Sequence, residues 1–347
     1  MQHYFSTREL SELCGVGETT VKRWSNMGLI KHHKTIGRHR KFKLEDVLDF
    51  ISKNKITIPE EQIERLKIEK QSSDNLDLGT EILLVKGDTD ALSIRLLNSL
   101  LSYNKEEIDV LLIKAFEQDL SFAAIFDKLI SPAMENVGKL WESKKICVAE
   151  EHIISNLLIE AIIRLKARYE AKQDKRARHA GMGKSLVPHA GTGLKTRAPA
   201  VAENGQQAGD HAKRFGVRKA VVCTCPESEY HEIASHGVSL VCQSLGFEVI
   251  FVGSSVPFKD LLSVVNLINP DMLCMSVTVA RLEVGVYRKY EQFRKALKRK
   301  NISFVVGGQF IGEKKTQPIL ADFKANNFQE LEQYIRENFE VNEVLAI

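Results

Sequence analysis

Cys225-Pro-Glu-Ser-Glu-Tyr-His-Glu-Ile-Ala234 puts an acid and a histidine where a strand should give way to a helix. Ahead of it, Ala220-Val-Val-Cys-Thr224 is a short apolar run of the kind that forms a strand buried in a parallel sheet. Behind it, Ile233, Val238, Leu240, Val241 and Leu245 recur at roughly helical spacing until Gly246, and Val249-Ile-Phe-Val252 begins a second strand. Strand, loop, helix and strand make a βαβ unit. The alternation continues to a final helix at 328–336, which predicts a doubly wound, Rossmann-like parallel sheet over 216–347. In open α/β sheets ligands sit at the carboxyl ends of the strands, so Glu229 and His231 fall where a ligand is held.

Two later elements share that position. Ser276 and Thr278 flank Val277 after the apolar run Met272-Leu-Cys-Met275, and Gly307-Gly308 closes Phe304-Val-Val306. The set resembles the cobalamin-binding motif of methionine synthases and mutases, Asp-x-His-x-x-Gly followed at long intervals by Ser-x-Leu or Ser-x-Val and then Gly-Gly. Glu229 stands where the motif has Asp, and Ala234 where it has Gly. The resemblance implies that His231 is the lower axial ligand of cobalt, replacing the cofactor's own dimethylbenzimidazole. Glu229 would orient the imidazole. Ser276, Thr278, Gly307 and Gly308 are small residues suited to a slot for the displaced nucleotide tail.

Residues 1–54 read as a DNA-binding module. Ser6 or Thr7 can cap a helix containing Leu10 and Leu13, Gly15-Val-Gly17 turns the chain, and 19–27 forms a second helix with Val21 and Trp24 facing inward. A basic segment, Lys31-His-His-Lys-Thr-Ile-Gly-Arg-His-Arg-Lys-Phe42, follows with Gly37 at a hairpin tip, and then a helix at 44–51. The run from Thr35 to Val47 resembles the winged helix-turn-helix of MerR-type regulators and excisionases. On that resemblance Thr19, Thr20, Lys22 and Arg23 enter the major groove of operator DNA, while Arg38, His39, Arg40 and Lys41 reach phosphates or the minor groove. Trp24 is expected in the core.

Between these ends, 55–78 is polar and charged and is expected to be a linker. Residues 79–172 carry helical periodicity at 91–101, 106–117, 122–141 and 150–169, which predicts a four-helix bundle. A second linker is expected over 173–215, rich in Gly, Ala, Lys and Gln. Gly183-Lys184-Ser185 is not a phosphate loop, because Arg178 occupies the place of the first glycine.

The spacing from Trp141 to Glu151-His152 resembles that of CarH and LitR-type photoreceptor repressors. There the bundle covers the upper face of adenosylcobalamin, so the resemblance assigns Trp141, Val148, Glu151 and His152 to contacts with the adenosyl group. It also implies a homotetramer that binds DNA in the dark and dissociates in light. Glu142 departs from the pattern, which has a histidine able to ligate cobalt after photolysis. A water-ligated photoproduct is expected instead.

Composition agrees with several cored domains: 347 residues, 44% hydrophobic, formal net charge +4. No apolar run approaches the roughly 18 residues of a membrane span, and the first residues lack the apolar core of a signal peptide, so a cytoplasmic protein with no membrane contact is expected. Six scattered cysteines are expected as reduced thiols. The whole reads as a multidomain α and α/β regulator rather than an enzyme. Two alternatives stay open: a corrinoid protein carrying methyl groups for a methyltransferase, and a cobalamin-sensing regulator insensitive to light.

Overall fold

Ser6 starts the first helix by a reciprocal cap. Its Oγ accepts from the Glu9 amide at 3.2 Å, and the Glu9 carboxylate accepts from the Ser6 amide at 2.6 Å. From there the computed structural model describes residues 4–35, 37, 39–54, 56, 58, 78–179, 219–278, 284–309 and 320–341. Arg38, most of the first expected linker and the second from residue 180 onward lie outside the described residues. Two compact units emerge, one from Met1–Leu120 with Lys128–Ile146, the other from Ser121–Asp127 with Cys147–Ile347.

The first unit begins with β1 (Tyr4–Ser6), α1 (Thr7–Leu13), α2 (Glu18–Asn26), β2 (His33–Lys34), β3 (Arg40–Lys43) and α3 (Leu44–Asn54). The strands form an antiparallel sheet in the order β1-β3-β2. Thr35 N donates to His39 O at 2.9 Å, closing the hairpin around Gly37. Leu10, Leu13, Val21, Phe42, Val47 and Phe50 are buried together, and Trp24 packs on Phe50 with ring centroids 4.9 Å apart.

Helices α4 (Leu78–Lys86), α5 (Thr89–Leu101) and α6 (Lys105–Glu117) follow in this unit. Asp88 caps α5 and Asn104 caps α6 through side-chain oxygens. The periodicity had not singled out α4, because Ile-Leu-Leu-Val at 82–85 is apolar all round and marks no stripe. The expected helix at 122–141 is built in three pieces: α7 (Phe122–Ile125), a π-helical stretch (Phe126–Ile130) and α8 (Ser131–Glu142). Ser121 caps α7. One of the three boundaries between the two units falls inside the π-helical stretch.

In the second unit α9 (Val148–His179) runs past residue 172, so the chain stays helical where the second linker was expected to begin. Gln173 and Asp174 are buried there, and packing overrides the polar composition. The sheet is β4 (Ala220–Pro226), β5 (Glu248–Val256), β6 (Met272–Ser276), β7 (Ser303–Gly307) and β8 (Phe323–Ala325), all parallel, in the order β5-β4-β6-β7-β8. Its helices are α10 (Ile233–Ser244), α11 (Phe258–Ile268), α12 (Val284–Arg299) and α13 (Phe328–Asn338). One core joins Val222, Leu273 and Phe304 of the strands to Phe258, Leu261, Tyr290 and Phe293 of α11 and α12.

The segment Ser121–Asp127 is anchored to this unit at two points. Asp127 accepts from the Phe328 and Gln329 amides, each at 2.9 Å, and so caps α13 from a distant part of the sequence. The Phe126 and Phe328 rings close over Gly237 of α10, where a Cβ would lie 2.6–2.7 Å from their carbons.

Candidate functional site

The strand order makes β4 and β6 the switch point, where successive connections leave in opposite directions and a crevice opens at the carboxyl ends. The loop after β4 carries the acid and the histidine, and the loop after β6 carries Thr278. Glu229 joins them. Its side chain is 1% exposed. One oxygen accepts from His231 Nδ1 at 2.6 Å and from the His231 amide at 3.0 Å, and the other accepts from the Thr278 amide at 2.7 Å. The end of β5 is tied in as well: Ser255 N donates to Glu229 O at 2.9 Å, and Ser228 N donates to Ser255 Oγ at 3.2 Å. Ser228 and Ser255 both take positive φ, 70° and 52°, to make these turns.

The imidazole is therefore fixed in place with one nitrogen engaged. His231 is 53% exposed, and with Nδ1 on Glu229 the nitrogen left to meet a ligand is Nε2. The hydrogen bond to Glu229 raises the His231 pKa above its ordinary value, against the lowering effect of burial. The charges of Glu229 and then Glu151 add to the rise. Glu151 itself accepts from Ser155 Oγ at 2.7 Å and lies 3.0 Å from His152 Nδ1. Glu151, at the start of α9, thus acts on His231, while His152 and Val148 are exposed to solvent. Trp141 belongs to the first unit, at the end of α8, and is 47% exposed.

Behind the histidine the backbone packs closely. Gly308 has φ of +118°, and a Cβ there would lie 2.2 Å from the Val277 carbonyl oxygen, so only glycine fits. At Gly307 a Cβ would meet Ala325 O at 3.2 Å. Ser276 is buried, and its Oγ has no hydrogen-bond partner among the described residues, although a hydroxyl in that position normally finds one. A polar group of a bound ligand reaching the end of β6 would supply it. A half-exposed, carboxylate-anchored imidazole and an unpartnered buried hydroxyl beside a glycine cradle fit a cobalamin bound with its own base displaced. Among the described residues no group of three or more His, Cys, Asp or Glu could hold a metal ion.

Sequence reasoning passed over Glu232, Ser255 and Asp127. Glu232 accepts from the Ser254 amide at 2.8 Å and sits 3.9 Å from His236, which stacks on Phe251 with centroids 4.4 Å apart. Burial lowers the His236 pKa. The i, i+4 spacing of Glu232 and His236 was the available signal; Ser255 and Asp127 act at long range and leave none.

In the winged module Thr19, Lys22 and Arg23 are exposed on α2, and Thr20 is half-buried. Lys22 pairs with Glu18 at 3.4 Å. His39 is exposed near the hairpin tip, and Lys41 is half-buried on β3. Arg40 is half-buried and held within the module. Its guanidinium donates to Asn26 Oδ1 at 2.6 Å and to Lys22 O at 3.4 Å, bracing β3 against the last turns of α2.

Residues 4–55 match the family described as a helix-turn-helix domain, and residues 93–166, from α5 into α9, match the B12 binding domain. The chain is similar to the HTH-type transcriptional repressor CarH of Myxococcus xanthus, 25% identical over 183 residues, 53% of this chain and 46% of that protein. It is also similar to dimethylamine corrinoid protein 2 of Methanosarcina mazei, 26% identical over 206 residues, 59% of this chain and 90% of that protein. Among solved structures, the Methanosarcina barkeri monomethylamine corrinoid protein aligns at 16% identity with a TM-score of 0.47, over 71% of this chain and 98% of that one. The match thus spans less than half the length of the repressor. The chain joins a helix-turn-helix domain to a B12-binding domain, and its second unit carries a Rossmann-like parallel sheet.

Proposed function

We propose that this protein is an adenosylcobalamin-binding, light-responsive transcriptional repressor whose cofactor controls its oligomeric state and its hold on operator DNA. The observation that carries the cobalamin half is the Glu229 carboxylate, buried at the switch point and holding His231 with Nε2 available. His231 would then hold cobalt, Ser276, Thr278, Gly307 and Gly308 would accommodate the tail, and Trp141, Val148, Glu151 and His152 would contact the adenosyl group. When bound, the cofactor supplies a cobalt–carbon bond that light can break. The regulatory half rests on the winged helix-turn-helix, with Thr19, Thr20, Lys22, Arg23, Arg38, His39, Arg40 and Lys41 toward DNA. The similarity to a repressor that carries a helix-turn-helix supports it. A ligand bound better by one assembly than by another is sufficient to drive the switch.

The similarity to corrinoid proteins favours a second reading, a methyl-group carrier, for which a winged helix-turn-helix has no use. The experiment is size-exclusion chromatography and absorption spectroscopy of protein loaded with adenosylcobalamin in the dark, then illuminated. The expected result is a tetramer that dissociates in light, with a photoproduct lacking a second histidine ligand because Glu142 follows Trp141. An oligomer of the same size with and without cofactor, and before and after light, contradicts the proposal. A change with cofactor alone points to the light-insensitive regulator.

A further inference from the structure

Helix α12 carries far more charge than its place in the sheet requires. Between Arg288 and Lys300 lie seven lysines and arginines and one acid, Glu291, a formal +6; the whole chain is +4, so all the rest of it sums to −2. Even residues 4–54, with ten basic and six acidic side chains, reach only +4.

The helix is also firmly held. Tyr290, Phe293 and Leu297 are buried in the core around Phe258 and Phe304, and the Tyr290 hydroxyl donates to the Leu320 carbonyl. At about 100° per residue, Arg288, Lys295 and Arg299 fall in one line on the opposite side, spaced by about 10 Å and about 6 Å along the axis. All three are exposed, and among the described residues none of them has an ion-pair partner. Lys289, on the flank, pairs with Glu227 at 3.8 Å.

The chemistry of the neighbours narrows the partner. Every exposed side chain from 288 to 300 is charged or amide-bearing, and the apolar ones face the core. Among the described side chains of this face, from 288 to 300, there is no exposed aromatic to stack on unpaired bases, no apolar anchor for a protein interface and no apolar wedge for a lipid surface. A rigid row of cations without apolar contacts suits the phosphates of a duplex.

We propose that the exposed face of α12 is a second nucleic-acid contact, binding duplex phosphates without reading bases. It adds sequence-independent affinity to the winged helix-turn-helix, and it rests on the DNA-binding reading above.

The test uses the full-length, cobalamin-loaded protein and a triple variant, Arg288→Gln, Lys295→Gln and Arg299→Gln, whose retained cobalamin binding checks its fold. A comparison variant carries Lys22→Gln and Lys41→Gln. Binding to a random-sequence duplex is titrated by fluorescence anisotropy from about 50 to about 200 mM salt, with phosphatidylserine vesicles as a parallel probe. At about 0.9 per phosphate, three lost contacts reduce the slope of log affinity against log salt by about 2–3, and affinity at the lowest salt falls about tenfold or more. A triple variant with wild-type slope and affinity overturns the inference and leaves the DNA-binding reading intact. Wild-type binding by the comparison variant alongside loss in the triple variant sustains the inference and removes the winged module from DNA. No duplex binding by the wild type overturns both, and loss confined to vesicles overturns the choice of nucleic acid.

Discussion

Replacing Glu229 with Gln keeps the shape of the side chain but turns one of its two acceptor atoms into a donor. In the native site one oxygen serves His231 Nδ1 and the His231 amide, and the other serves the Thr278 amide. If the glutamine oxygen stays on His231, its NH2 group faces the Thr278 N–H inside a site where the side chain is 1% exposed. A hydrogen bond to a charged acceptor is lost, at about 1.5–3 kcal/mol, and a buried donor is left unmet, at about 1–3 kcal/mol. Because these costs overlap, a loss of about 3 kcal/mol is expected for opening of the β4, β6 and α10 region. Amide hydrogen exchange over 220–278 measures it locally, without assuming that both units unfold together. The variant also replaces the charged acceptor of the hydrogen bond that raises the His231 pKa by a neutral one and removes the Glu229 charge, so the imidazole should titrate at lower pH in an NMR experiment. The sign follows from linkage. A raised folded-state value contributes stability that is fully present below the ordinary value of 6.5 and is lost as pH rises through the folded value, so the penalty of the variant should shrink over that window. Exchange within about 0.5 kcal/mol of wild type, together with an unmoved His231 midpoint, would refute the role given to Glu229.

Two further substitutions test the frame around the site. Gly308→Ala places a methyl 2.2 Å from the Val277 carbonyl oxygen at φ of +118°; about 3 kcal/mol or more of stability should be lost in denaturant titrations, and equilibrium dialysis should show weaker cobalamin binding. Asp127→Ala removes the shared acceptor for the Phe328 and Gln329 amides, and should cost about 1–2 kcal/mol, visible as faster exchange at the start of α13 with cobalamin affinity little changed.

Much of this was legible in the sequence because period and punctuation carried it. Ala220-Val-Val-Cys-Thr224 is buried throughout as β4, and the reciprocal cap at Ser6 and Glu9 opens the first helix. Glu229 and His231, paired through the resemblance to the cobalamin-binding motif, are hydrogen-bonded to one another. What escaped depends on contacts distant in sequence. Nothing local says that Asp127 caps a helix two hundred residues later, or that Gly237 is glycine because two rings close over it. Arg40 looked like one more cation in a basic run, and only the fold brings Asn26 and the Lys22 carbonyl to it. The end of α9 was misplaced because Gln173 and Asp174 are polar by composition and buried by context.

The central claim is that His231 Nε2, not the cofactor's own base, holds the lower face of cobalt. Electron paramagnetic resonance of the protein loaded with cob(II)alamin tests it directly, using protein labelled with ¹⁵N only in histidine. Each line is split by the single axial nitrogen, into three by ¹⁴N and two by ¹⁵N. A doublet in the labelled protein that disappears in His231→Ala is the predicted result; a triplet that persists despite the label means the nucleotide base is still bound to cobalt, and contradicts the account.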